Sequence, residues 1–356
     1  MLNNFYVNLD DISQTNVETA QPLACSNGEA LINIQRFALT ANNITYGVAG
    51  DIIGYWKFFP APQGWGRIPV WGIGQVQDSQ TDGLESGTRC YGYFPMSHEL
   101  LVQPNDVKGS GFKDGAAHRA ELPPVYNQYS IMTPETGFDP KWDNHAMVYR
   151  PLFTTSFVLD DYLLDNEDFG ANQILLGSAS SKTAIGLAFM LKRRTGLRVV
   201  GLTSTNNCAF VEGLGLYDEV YSYDAIEDMA QVPTAFVDMA GNRSVLARVH
   251  HHLQDDLRCS CGVGITHWDA RDGEAPESLP GAKPSMFFAP SQIMKRNEEL
   301  GPQRYQAMIG EATAAFFAEV DNWITIEVSP FSDLEAIYQT VLNGPAPDRA
   351  YVIDLA

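Results

Sequence analysis

Between residues 173 and 265, short apolar runs alternate with helical patterns, and this alternation constrains the fold more than any other sequence feature. The strand-like runs are at 173–176, 198–203, 219–223, 235–239 and 258–265. Helical patterns at 184–194, 206–214 and 242–257 lie among these runs. Strands that alternate with helices through short loops predict a parallel, doubly wound sheet. We therefore expect an α/β fold here.

The turn after the first of these strands consists of small and hydroxyl residues. In such sheets, ligands bind beyond the carboxyl ends of the strands. The helix N-terminus there offers free N–H groups and the positive end of a dipole to a phosphate. The residues expected to hold a nucleotide's phosphates are Gly177, Ser178, Ser180, Ser181, Lys182 and Thr183. The G-x-G-x-x-G and P-loop patterns are both absent, so a serine-capped helix without a ligand remains an alternative.

The end of the second strand indicates which dinucleotide would bind. Enzymes that use NAD place Asp or Glu there, against the ribose 2′-OH. This chain instead continues as Thr203, Ser204, Thr205, Asn206 and Asn207. The absence of a repelling carboxylate favours NADP(H), with Thr203, Ser204 and Asn207 as contacts and Lys182 as the hypothetical source of positive charge. The other residues expected at this edge are Tyr223, Asp238, Gly241, Gly262 and Gly264, of which Gly262 and Gly264 would allow close approach of the nicotinamide.

Composition and charge exclude several classes of protein. The net charge of −20 argues against nucleic acid as a partner, because phosphate backbones repel such a surface. The sequence has no run of 18 apolar residues and no signal-like N-terminus, so we expect neither a membrane span nor secretion. The five cysteines form no CxxC pair, which fits a reducing cytoplasm without disulfides or structural zinc.

The flanking stretches differ from the middle. Residues 1–150 are rich in Gly, Pro and aromatic residues, and their short runs at 30–37, 67–77 and 88–96 predict antiparallel β-structure. After residue 301 we expect a helix at 303–319, a strand at 323–329, a helix at 333–342 and a strand at 350–355.

This order of segments resembles the medium-chain dehydrogenase/reductase superfamily, and the segment QILLGSASSKTAIGLAFMLKRR is similar to the cofactor half of its zinc-independent quinone oxidoreductases. The segments TANNITYGVAGD, YWKFFPAP, IPVWGIGQV, YGYFPMS and YNQYSIM together resemble the DUF2855 branch. The resemblance implies a GroES-like catalytic domain over 1–150, completed by 301–356, and a Rossmann domain over 151–300. It also implies a homodimer. The zinc ligands of other relatives are missing, so the resemblance implies a metal-free reductase.

Two segments carry candidates for the catalytic chemistry. Asn43 and Tyr46 are three residues apart, so on a helical turn they would share a face, and Tyr46 could donate a proton to substrate. Tyr126 and Tyr129 lie in a Pro-rich segment that could cover a substrate. Structural roles in a turn or a packed loop are equally open for both segments. We interpret the His250–His252 run as a solvated helix face rather than a metal site.

Together these features predict a zinc-independent oxidoreductase that transfers hydride from NADPH to an activated C=C or C=O of a small-molecule substrate. Two alternatives remain: a nucleotide-binding enzyme with non-redox, lyase or C–C cleaving chemistry, and a non-catalytic ligand-binding protein.

Overall fold

The computed structural model describes residues 2–239, 241–263 and 279–355, apart from the side chains of Ile52 and Ile53. The strands are β1 (Asn3–Asn8), β2 (Thr15–Thr19), β3 (Ala30–Leu39), β4 (Trp65–Gly66), β5 (Pro69–Ser79), β6 (Arg89–Pro95), β7 (Glu99–Val102), β8 (Pro104–Lys108), β9 (Gly111–Asp114), β10 (Gln128–Ile131), β11 (Gln173–Gly177), β12 (Arg198–Thr203), β13 (Glu219–Ser222), β14 (Thr234–Asp238), β15 (Leu257–Val263), β16 (Ser285–Phe287), β17 (Thr325–Pro330) and β18 (Arg349–Asp354). The helices are α1 (Ala41–Val48), α2 (Gly50–Ile53), α3 (Asp143–Asp165), α4 (Lys182–Lys192), α5 (Cys208–Gly213), α6 (Arg243–Leu253), α7 (Ala289–Leu300), α8 (Pro302–Val320) and α9 (Leu334–Leu342).

The chain divides into two compact units. Unit 1 comprises Met1–Tyr149 and Ile324–Ala356, and unit 2 comprises Arg150–Trp323. None of the helices in the described ranges combines the length and hydropathy needed to traverse a lipid bilayer.

Unit 1 is β-rich, as its Gly, Pro and aromatic content predicts. A nine-stranded sheet has the order β17-β18-β3-β5-β6-β10-β9-β8, with β7 also paired to β3, and a smaller sheet has the order β2-β1-β4. The pairs are antiparallel except for β17 with β18. Phe37, Val70 and Phe94 on three neighbouring strands are fully buried, so the core lies along the centre of the large sheet.

Unit 2 contains a six-stranded parallel sheet in the order β13-β12-β11-β14-β15-β16. From the centre of the sheet, β11, β12 and β13 follow one another toward one edge, and β14, β15 and β16 follow one another toward the other edge. The strand order therefore reverses between β11 and β14. This is the doubly wound order that binds dinucleotides at the reversal. The α/β fold expected from the alternating pattern is therefore confirmed.

Two expectations differ from the structure. Residues 301–323, which the sequence assigned to the first domain, lie in unit 2, because Phe316 on α8 stacks on Phe153 with ring centroids 4.6 Å apart. His250 is wholly buried rather than solvated, since its ring hydrogen-bonds with Ser260 and with the Pro280 carbonyl.

Candidate functional site

Several of the predicted cofactor residues meet at the carboxyl edge of the unit 2 sheet. Gly177, the last residue of β11, lies opposite Asp238 of β14, and Asp238 lies opposite Gly262 of β15. Thr203, the last residue of β12, lies opposite Ser222 of β13. Strand ends at the reversal of a doubly wound sheet are where such folds bind ligands.

The turn from β11 to α4 has the geometry of a phosphate-binding turn. Ser178 adopts a left-handed conformation, with φ of 53°. The Ala179 N–H then donates to the Leu202 carbonyl of β12 at 3.0 Å, and the Ser181 N–H donates to the Ser178 carbonyl at 2.8 Å. The Ser181 hydroxyl caps α4 by accepting from the Ala184 N–H at 3.3 Å. The start of a helix is a favourable place for an anion, because its N–H groups and the positive end of the helix dipole point outward there.

Two glycines allow this turn to pack closely. A Cβ on Gly177 would lie 3.2 Å from the Asp238 Oδ1 and from a ring carbon of Phe236. A Cβ on Gly186, within α4, would lie 2.7 Å from the Ser156 Oγ of α3. The Ser156 hydroxyl fills that space and donates to the Thr183 carbonyl at 2.7 Å. Glycines that permit a tight turn and close helix packing are two of the three in the dinucleotide-binding fingerprint, so the residues present fit such a ligand.

The hydroxyl of Ser180 connects the turn to the end of β12. It accepts from Thr203 Oγ1 at 3.2 Å and from Asn207 Nδ2 at 3.0 Å. Because both bonds are accepted, the Ser180 hydroxyl proton is not used in either and can be donated to a phosphate oxygen. Ser204 precedes the short helical turn Thr205–Asn207 and is partly exposed.

The remaining predicted cofactor residues lie beside this turn or just beyond it. Tyr223 hydrogen-bonds with the side chain and backbone of Ser178, and burial raises the pKa of its hydroxyl. The buried Asp238 accepts from the Gly241 N–H at 3.1 Å. Lys182 and Thr183 form the start of α4, and Gly262 is buried at the end of β15. Gly264 lies outside the described residues.

Sequence reasoning missed Tyr217 as a support for the turn. Its hydroxyl donates to the Ala179 carbonyl at 2.9 Å. Its ring packs against Gly201, where a Cβ would lie 3.0 Å from the Tyr217 Cδ1. No local motif marks this contact, because Tyr217 follows the glycine that ends the preceding helical pattern and reads as loop.

In unit 1, five aromatic residues form what we call the tyrosine cluster: Tyr46, Tyr55, Trp71, Tyr93 and Tyr126. The rings of Tyr46 and Tyr55 have centroids 4.5 Å apart, and those of Tyr93 and Tyr126 stack at 4.7 Å. The hydroxyls of Tyr55 and Tyr126 are 3.2 Å apart. Within the described residues, the buried Tyr93 hydroxyl forms no hydrogen bond.

The tyrosine cluster is a set of neutral donors. Burial raises the pKa of Tyr55 to about 12, and it also raises the pKa values of Tyr46, Tyr93 and Tyr126. Asn42 Nδ2 donates to the Tyr46 hydroxyl at 2.7 Å, and this hydrogen bond lowers the Tyr46 pKa against the effect of burial. The Tyr46 proton therefore stays in place at neutral pH, and the bond from Asn42 leaves that proton for another acceptor.

Two of the predicted catalytic residues, Asn43 and Tyr129, form hydrogen bonds within the fold. The Asn43 Oδ1 accepts from the Thr40 N–H and hydroxyl at 2.8 and 3.0 Å, and its Nδ2 donates to the Pro69 carbonyl at 2.9 Å. Asn43 thus caps α1, and the partner of Tyr46 is Asn42, one turn before it.

Tyr129, the second of these residues, is 1% exposed, stacks on Phe112 with ring centroids 5.1 Å apart, and donates its hydroxyl to the Tyr93 carbonyl at 2.7 Å. It is therefore a core residue. Tyr126, by contrast, is partly exposed and belongs to the tyrosine cluster.

Across residues 2–239, 241–263 and 279–355, no group of three His, Cys, Asp or Glu side chains is arranged to hold a metal ion. All five cysteines lie in these ranges and are free thiols.

The fold is similar to those of solved oxidoreductases. CurA from Vibrio vulnificus in complex with NADPH is 14% identical, with 99% of each chain covered and a TM-score of 0.61. The YhdH oxidoreductase from Salmonella enterica in complex with NADP is 14% identical, with 99% of this chain and 100% of that chain covered and a TM-score of 0.53. A putative NADPH:quinone reductase from Bacillus thuringiensis is 11% identical, with 100% of this chain and 99% of that chain covered and a TM-score of 0.57.

A search of curated proteins found none that matches this sequence. One family profile does match, over residues 37–347, and its description is "Protein of unknown function (DUF2855)". The sequence resemblance and the structural likenesses agree on the architecture, a β-rich unit and a Rossmann unit. The chain therefore belongs to the DUF2855 family and has the fold of the medium-chain dehydrogenase/reductase superfamily.

Proposed function

We propose that this protein is an NADP(H)-dependent oxidoreductase that reduces an activated C=C or C=O group of a small organic molecule, without zinc. The observation that carries the proposal is the Gly177–Ser181 turn, which ends in the capped N-terminus of α4 at the reversal point of a doubly wound sheet. The names of the structural neighbours support a reductase, since two of them were solved with NADPH or NADP.

In this proposal the carboxyl edge of unit 2 holds the dinucleotide. Ser180 and Ser181, with Lys182 as the cation, contact the pyrophosphate at the start of α4. Ser204 and Asn207 face the 2′-phosphate with hydroxyl and amide groups, which do not repel it. Gly262 lies opposite Asp238 and leaves room for the nicotinamide ring. The reduced nicotinamide, when bound, supplies the hydride.

The tyrosine cluster supplies the proton. Tyr46 keeps its proton because burial raises its pKa, and the oxygen left by hydride addition to a carbonyl is a stronger base than a phenolate. The Tyr46 O–H bond breaks as the new substrate O–H bond forms. The resulting phenolate is stabilised by the Asn42 amide at 2.7 Å, and water returns its proton.

The test is a binding titration followed by turnover. NADPH fluorescence and calorimetry should show binding to the purified protein, and NADPH absorbance should fall with at least one class among enones, quinones and aldehydes. A Gly177→Val variant, folded by circular dichroism, should lose cofactor binding, because its side chain would occupy the space beside Asp238. Absence of NADPH binding to the wild type would refute the proposal. Binding without turnover of any class would leave a nucleotide-binding protein and refute the reductase.

The same proposal places the protein in a reducing cytoplasm, which its five free thiols support. Assembly as a homodimer stays a prediction, which sedimentation would measure.

A further inference from the structure

A carboxylate from another segment of the chain, that of Asp224, lies beside the 203–207 loop, which itself contains no acidic residue. Thr205 opens the short turn after β12, and its hydroxyl donates to Asp224 Oδ2 at 3.1 Å. Asp224 belongs to the segment after β13, 19 residues further along the chain. Both side chains are exposed to solvent. The parallel register of β12 with β13 is what brings the two strand ends together.

The surroundings of Asp224 hold it there. The preceding residue, Tyr223, hydrogen-bonds to Ser178 of the phosphate-binding turn. Arg248 of α6 donates to the Tyr223 carbonyl at 2.6 Å and to the Asp224 carbonyl at 3.5 Å. The rest of the Arg248 guanidinium forms an ion pair with Glu227, with one bond at 2.9 Å. Arg248 therefore fixes the backbone of the segment, while the Asp224 carboxylate is hydrogen-bonded by Thr205.

We infer that Asp224 is a specificity-determining residue that weakens NADP(H) binding relative to NAD(H), so that the site accepts both dinucleotides. The inference rests on the proposed function. In a doubly wound sheet, the ribose 2′ position lies at the end of the second strand, where an acidic side chain accepts a bond from a 2′-OH. Asp224 brings that side chain from the neighbouring strand. A 2′-phosphate at the same place meets a like charge, which opposes the preference set by Ser204 and Asn207.

The experiment compares Asp224→Asn with the wild type by calorimetry, using two pairs of probes. The first pair is NADPH and NADH, and the second is adenosine 2′,5′-bisphosphate and adenosine 5′-monophosphate, which differ only in the 2′-phosphate. Removing one negative charge about 5 Å from a phosphate should tighten binding of the 2′-phosphorylated probes about tenfold at low salt. Binding of the other two probes should not tighten, because Asn keeps an acceptor for the 2′-OH but loses the charge that strengthens this bond. The difference between the two kinds of probe should shrink as salt is raised, because Asp224 is exposed to solvent and salt screens its charge.

Glu212→Gln is the matched control, since it removes one exposed carboxylate from α5 in the same unit. Within each pair of probes, Glu212→Gln should leave the ratio of the affinity for the 2′-phosphorylated probe to the affinity for the other probe unchanged. An unchanged ratio in Asp224→Asn, or an equal change in Glu212→Gln, overturns the inference and leaves the proposed function standing. Failure of the wild type to bind any of the four probes overturns the proposed function, and the inference with it.

Discussion

At the residue scale, the roles of polar side chains follow from what their atoms already touch. Sequence spacing selected the segment that contains Asn42, Asn43 and Tyr46, and the structure pairs Tyr46 with Asn42. Residues three and four apart both share a helix face, so spacing alone could not choose between the two asparagines. The cap that Asn43 forms with Thr40 is local in sequence, but its bond to the Pro69 carbonyl of β5 is not, and no local pattern encodes it.

The proton-donor role predicts a specific loss in Tyr46→Phe. We expect kcat to fall by about 10²–10⁴-fold, the usual contribution of a positioned general acid, with cofactor affinity unchanged. Steady-state kinetics with the best substrate found measures it. Tyr129→Phe is the matched control: it loses the bond to the Tyr93 carbonyl, so stability should fall by about 1 kcal/mol while kcat changes less than about twofold. Equal losses of kcat in both variants would contradict the role of Tyr46.

His250 shows a second limit of sequence reasoning. Three consecutive histidines suggest a solvated face, yet His250 is buried. The buried positions of α6 follow the spacing of one helix face: Val245, Leu246, Val249, His250 and Leu253. That spacing was available in the sequence. The bond from Ser260 on β15 to the ring was not, because it depends on how the helix packs on the sheet.

The burial of His250 predicts acid sensitivity. Burial lowers the pKa of its imidazole, so at acid pH the unfolded chain binds a proton that the folded chain does not. The stability from neutral His250 is therefore present above the unfolded pKa of about 6.5 and is lost as pH falls through the folded pKa. Urea unfolding at pH 7.5 and pH 5 should show a smaller loss of unfolding free energy in His250→Gln than in wild type.

His250→Gln should itself cost about 1–3 kcal/mol at pH 7.5, because a buried partner is left unsatisfied. His251→Gln, at an exposed position on the same helix, should keep the wild-type pH dependence. An identical pH dependence in wild type and His250→Gln would show that this imidazole does not control the acid transition.

At the scale of elements, the β11–α4 segment was predictable because each of its signals is local. The apolar run, the hydroxyl-rich turn and the serine cap are adjacent in sequence, and the strand at 173–176 extends only to Gly177 in the structure. The requirement for glycine at position 186 was not predictable from the sequence. It depends on Ser156 of α3, 30 residues earlier in the chain.

Close packing of α3 on α4 predicts that Gly186→Ala is destabilising. Its Cβ would lie 2.7 Å from the Ser156 Oγ, and forced overpacking costs about 1–3 kcal/mol. Gly310→Ala on α8 is the matched control. In the described part of the chain, a Cβ at Gly310 would meet nothing within 4 Å beyond its own stretch of helix, and Ala favours a helix by up to about 1 kcal/mol over Gly. Chemical denaturation should move the two variants in opposite directions. A gain in stability for Gly186→Ala would contradict the packing argument.

At the scale of the whole molecule, alternation of strands and helices was enough to predict a parallel sheet, because few arrangements connect such elements without crossing. The assignment of residues 301–323 was wrong because an amphipathic helix indicates that one face is buried but not against which element. Phe316 reveals the partner only through its contact with Phe153. Asp224 was missed for a similar reason, since its neighbour Thr205 lies on another strand end.

The pairing of β18 with β3 has a consequence for synthesis of the chain. Tyr351 to Asp354 pair with Arg36 to Leu39, about 300 residues apart. At about 5–20 residues per second, a ribosome would need roughly 15 seconds to one minute to add the missing partner, while all of unit 2 is translated in between. During that interval the nascent large sheet carries an open edge, which can recruit strands of other chains. The growing chain thus exposes the part of the β3 edge that β18 covers in the finished protein.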